Sequence, residues 1–76
     1  MSEDGSQRWR FRLPRDEIGY VRFIVEAYGG VVQMTSRAGR GEVTWIVPES
    51  RVDEARELAR ALAAEIPFER LGEAAR

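Results

Sequence analysis

Residues 8–13 read Arg-Trp-Arg-Phe-Arg-Leu, a strict alternation of charged and apolar side chains. Period two belongs to a strand with one buried face, because successive side chains leave a pleated backbone on opposite sides. The pattern predicts a strand with Trp9, Phe11 and Leu13 toward a core and Arg8, Arg10 and Arg12 toward water. Turning the tryptophan outward instead would bury three guanidinium groups, which is prohibitive unless each is paired.

Pro14 stops that strand and suits a first helical turn, where Asp16 and Glu17 place negative charge at the positive end of the helix dipole. The helix is predicted to run to about Tyr28, with Gly29 and Gly30 as its left-handed exit. Ile18, Val21, Ile24, Val25 and Tyr28 fall on one side at helical spacing. Tyr20, Phe23 and Ala27 carry the apolar surface much further round, leaving a polar strip of Arg15, Gly19, Arg22 and Glu26. A helix lying on a sheet needs an apolar stripe of roughly 100°; this one is far broader.

A second strand is predicted over 31–36 and a third over 42–47, with Val43, Trp45 and Val47 on one face and Glu42, Thr44 and Ile46 on the other. Between them, Arg37-Ala-Gly-Arg-Gly41 has the glycines of a hairpin turn. Pro48 closes the third strand. Ser50 and Asp53 suggest a near capping box for a second helix through Glu65, in which Val52, Ala55, Leu58, Ala59, Leu62, Ala63 and Ile66 recur at helical spacing. Pro67 ends it, and residues 68–71 suit a short edge strand.

The order strand, helix, strand, strand, helix, strand is the ferredoxin-like α+β arrangement, an antiparallel sheet with both helices on one face. Its central strands are the first and third, the two that carry tryptophan. The chain is expected to form one domain over 8–71, with a disordered tail at 1–7 and a frayed one at 72–76.

Composition narrows the chemistry. All twelve basic residues are arginine, and the chain has no Lys, His, Cys or Asn. Most of the usual nucleophiles, proton shuttles and transition-metal ligands are therefore missing. The expectation is a protein that is not an enzyme, with no cofactor and no metal. Lysine and asparagine codons are rich in A and T, so their absence fits a GC-rich bacterial genome. The lack of cysteine, of an apolar leader and of a long apolar run points to a cytoplasmic protein without membrane contact. A net charge of −1 does little to oppose self-association and argues against a general polyanion binder.

The run Asp16-Glu-Ile-Gly-Tyr-Val-Arg-Phe-Ile-Val-Glu-Ala-Tyr-Gly-Gly30, followed by a strand, a glycine-containing turn and a strand ending in Val47-Pro48, resembles a family of small uncharacterised bacterial domains of unknown function. The resemblance covers roughly residues 8–66 and rests chiefly on the Phe-Ile-x-Glu-x-Tyr core of the helix. It implies a compact α+β domain and assigns no activity or functional residue. More loosely, the order of elements is similar to the ACT ligand-sensing modules. Those commonly place a glycine-containing turn after the first strand, where this chain has Leu13-Pro14-Arg15-Asp16.

Three features carry candidate functions. Tyr20, Phe23 and Ala27 form a candidate interface, most simply for a homodimer, since aromatics are enriched in interface cores; packing of Tyr20 and Phe23 on the second helix or the N-terminal tail is the competing reading. A sheet edge is the other route to self-association. Arg8, Arg10 and Arg12, spaced roughly 6.6 Å apart along a strand, form a candidate anion-binding row for a small-molecule or phosphate ligand. Cross-strand ion pairs with Glu42 and Glu69 would account for the same row. Nucleic acid is a third and weaker class of partner, because base stacking needs exposed aromatics on the central strands. The segment 37–41 is read as a hairpin turn, although its NH groups and two arginines could also wrap an anion. No carboxylate pair stands out as a general acid and base.

Overall fold

The computed structural model describes residues 5–37 and 39–71. Its elements are β1 (Ser6–Arg12), α1 (Ile18–Ala27), β2 (Gln33–Arg37), β3 (Glu42–Pro48), α2 (Val52–Glu65) and β4 (Glu69–Arg70), with single 3₁₀ turns leading into both helices. The sheet order is β2-β3-β1-β4, antiparallel throughout. This is the α+β, ferredoxin-like arrangement, with β1 and β3 central.

Parity along the two central strands makes the core. Trp9, Phe11, Val43, Trp45 and Val47 are all buried, and they close on Val21 and Val25 of α1 and Ala55, Leu58 and Leu62 of α2. Their alternates Arg8, Arg10 and Arg12 are exposed, and Glu42, Thr44 and Ile46 are half-buried. Phe11 packs tilted on Trp45 at 4.7 Å between ring centroids and stacks on Phe68 at 4.3 Å. Aromatic pairs at such separations add roughly 0.5–1.5 kcal/mol beyond the area they bury. The Trp9 indole donates to Gln7 Oε1 at 2.9 Å, and the Arg70 guanidinium lies 4.4 Å from its ring centroid. The buried Trp45 Nε1 has no hydrogen-bond partner among the described residues.

Several details differ from the sequence expectation, among them that Arg37 ends β2 instead of opening the turn and that β4 spans only Glu69–Arg70. β1 takes Ser6 and Gln7 from the expected tail, because they pair with Pro48 and Val47, and Glu49 N donates to Gly5 O at 2.9 Å. Residues 1–4 and 72–76 of the expected tails lie outside the described residues. β2 begins at Gln33, not Val31, because Val31 and Val32 are both buried and two consecutive residues on a regular strand cannot face the same core. The expected Ser50 capping box does not form. Ser50 sits in a 3₁₀ turn, α2 starts at Val52 without a side-chain cap, and Arg51 Nε bonds Glu54 across the first turn at 2.5 Å. Tyr28, expected on the core side of the first helix, is exposed, because α1 ends at Ala27 and the backbone is already leaving the helix.

The β2–β3 hairpin is tied to the body by its glycines. Gly41 has φ +66°, and its carbonyl accepts from Leu13 N at 2.9 Å. A Cβ there would meet Leu13 O at 2.8 Å, so both the left-handed backbone and the close approach call for glycine. Arg15 Nη1 reaches Gly39 O at 3.4 Å, linking the turn to the connection between β1 and α1.

Candidate functional site

Register decides what the outer face of the sheet presents. Arg10 lies opposite Thr44, which lies opposite Thr35, and Arg12 lies opposite Glu42, which lies opposite Arg37. On its other side Arg12 is paired with Glu69 of β4. The outer face is therefore a lattice of arginine, threonine and glutamate, with Ile46 and Gln33 toward one end. Among the described residues no aromatic side chain joins it, since both tryptophans and Phe11 are in the core.

The candidate row Arg8, Arg10 and Arg12 is exposed, and the three side chains have different surroundings. Arg10 lines an open depression of about 450 Å³ with Arg37, Arg40, Glu42 and Thr44. Arg8 and Arg12 do not line it; Arg8 stands opposite Ile46 and Arg12 between two carboxylates. The cross-strand ion pairs expected to occupy the row are not made, although backbone register sets Arg12 and Arg37 on either side of Glu42. Ion pairs do form around α2, where Arg51 meets Glu54 and Arg56 meets Asp53. An exposed pair contributes only about 0–1 kcal/mol, which does not reliably hold two long side chains in one geometry. Arg37 and Arg40 belong to the segment expected to form a hairpin turn that could also wrap an anion, and the sequence pattern does not join them to Arg10. The signal that joins them to Arg10 is the hairpin register, which sets residue 37 against residue 42.

The second candidate site is on the opposite side of the molecule. Phe23 is 66% exposed, Tyr28 49% and Tyr20 39%, and Ala27 is exposed beside them. At 100° per residue Tyr20, Phe23 and Ala27 span an arc of about 60° on α1, and Tyr28 lies just beyond its end. Tyr20 is partly absorbed by the fold: its hydroxyl donates to Glu65 Oε1 at 2.5 Å, joining α1 to the end of α2. That bond to a carboxylate, followed by desolvation and the nearby charges of Glu65 and Glu17, pushes the phenol above its ordinary value. The polar strip faces the other way, where Arg22 Nη2 reaches Ser36 Oγ on β2 at 3.3 Å. Among the described residues Phe23 and Ala27 have no such partner.

Among the described residues no group of three or more His, Cys, Asp or Glu is placed to hold a metal ion, and no helix is long and apolar enough to cross a membrane.

These features define a small ferredoxin-like α+β domain with an arginine-rich open sheet face and an apolar outer helix. The family described as Domain of unknown function (DUF4911) matches residues 11–66, and the chain belongs to that family. No curated protein and no solved structure matches the chain.

Proposed function

We propose that this domain is a non-catalytic bacterial association module of the cytoplasm that pairs with a second copy of itself through the outer face of α1. The observation that carries the reading is Phe23, a phenylalanine two-thirds exposed between Tyr20 and Ala27 on a helix whose core side is already satisfied by Val21 and Val25. Burying one aromatic side chain contributes roughly 1.5–3 kcal/mol, and a two-fold contact counts every such residue twice. A net charge of −1 opposes the pairing only weakly.

The free edge of β2 fits the role less well. It carries Gln33, Thr35, Ser36 and Arg37, and Arg22 reaches over to Ser36. Polar, partly covered edges resist strand addition.

Light scattering of the full chain at micromolar concentration tests the reading. The expected result is a dimer, which Phe23→Glu converts to a monomer with unchanged helical circular dichroism. A monomer whose thermal stability is independent of concentration would overturn it.

A further inference from the structure

The depression on the sheet face lies on the opposite side of the molecule from α1, and its chemistry is independent of self-association. We propose that it is a binding site for a small dianionic oxyanion of the phosphate class, held by Arg10, Arg37 and Arg40 with the Thr44 hydroxyl. Three guanidinium groups and one carboxylate line it, leaving two positive charges unmatched. A doubly charged phosphate cancels that excess, whereas a monocarboxylate leaves half of it. Guanidinium groups offer paired N–H donors that fit oxyanions, and they remain charged at any working pH.

The arrangement is built for a ligand in three respects. Arg10 and Thr44 stand on the central strands, so two of the donors are fixed by the sheet, while Arg37 and Arg40 flank a turn pinned through Gly41 and Gly39. Arg40 N donates to Arg37 O at 3.1 Å, which closes the turn and sets the two side chains at the same rim. None of the three arginines, and neither Glu42 nor Thr44, spends its side chain on a hydrogen bond or ion pair with another described residue. Glu42, a half-buried part of the lining, acts as an internal counter-charge that competes with the ligand and sets an upper limit on affinity.

Calorimetric titration of the full chain at low ionic strength, with inorganic phosphate and then pyrophosphate, tests the site, with amide NMR shifts locating it. Both probes are expected to bind, pyrophosphate more tightly, with the largest shifts at Arg10, Arg40 and Thr44. Arg37→Gln and Arg40→Gln should each weaken binding about tenfold, as expected for loss of a charge-assisted hydrogen bond. Glu42→Gln should strengthen it, a change that loss of structure would not produce. Arg8→Gln, on the same strand outside the depression, should leave it unchanged. The proposal is overturned if neither probe binds, if Arg8→Gln weakens binding as much as Arg40→Gln, or if Glu42→Gln does not raise affinity. It is also overturned if a single-stranded oligonucleotide binds more tightly than pyrophosphate and draws equally on Arg8, Arg10 and Arg12, which would make the whole face a polymer surface.

Discussion

Trp9 and Trp45 stand directly opposite one another on the two central strands, 3% and 0% exposed. Because both point toward the helices, Arg8 and Arg10 on one strand and Thr44 and Ile46 on the other are obliged to point away. One pairing thus sets the composition of both faces. It removes the aromatic platform that base stacking would need and leaves an arginine-rich surface in its place.

The first prediction follows from that burial. The chain has two tryptophans, both in the core, so its indole fluorescence should be shielded from acrylamide until the protein unfolds. Strong quenching of the native protein would place an indole at the surface and reverse the assignment of the faces.

Phe68 lies against Phe11 at 4.3 Å, on the short segment that delivers β4 to the edge of β1. Replacing Phe68 with alanine should cost about 3–5 kcal/mol. That is a large part of the roughly 5–15 kcal/mol that stabilises a typical domain. Urea denaturation should show a sharply lowered midpoint, and Phe68→Leu a much smaller change.

Gly29 and Gly41 share a left-handed backbone but differ in space: at φ +78° Gly29 has room for a Cβ, whereas at φ +66° Gly41 does not. Gly29→Ala should therefore cost about 1–2 kcal/mol. Gly41→Ala should cost more and loosen the hairpin, because a clash with Leu13 O is added to the backbone strain. Equal losses in denaturant titrations would contradict the close approach.

The Tyr20–Glu65 bond predicts an alkaline effect. Its phenol is raised above the ordinary value of 10.0, chiefly by the carboxylate that accepts its hydrogen bond, so the folded state holds the proton more tightly than the unfolded chain. Stability from this source is fully present below pH 10 and is lost as pH rises through the folded value. Ultraviolet titration should show Tyr20 ionising late in the wild type, shifted back toward the ordinary value in Glu65→Gln. Tyr20→Phe should lose this part of the alkaline dependence.

Much of the architecture is readable from local pattern. Period two in residues 8–13 and 42–47 predicts both central strands and the facing of every side chain on them. Pro14, Pro48 and the Gly29–Gly30 pair mark where helices and strands give way. These signals are legible because a strand's parity and a helix's exit are set by a few adjacent residues. The boundaries that moved depend on distant partners. Ser6 and Gln7 become strand because Pro48 and Val47 are there to receive them, and β2 starts late because the core takes Val31 and Val32 together.

The candidate sites divide in the same way. The helical spacing of Tyr20, Phe23 and Ala27 is enough to show an apolar surface wider than one sheet requires. That Tyr20 is drawn toward Glu65 while Phe23 is left in water depends on how α1 lies against α2. The alternation alone determined that Arg8, Arg10 and Arg12 would face solvent. Only the folded sheet brought Arg37 and Arg40 beside Arg10 and set Glu42 between Arg12 and Arg37. Periodicity assigns a residue to a side of its own strand, whereas its neighbours across the sheet are set by register, and register is fixed by the packing of the whole core.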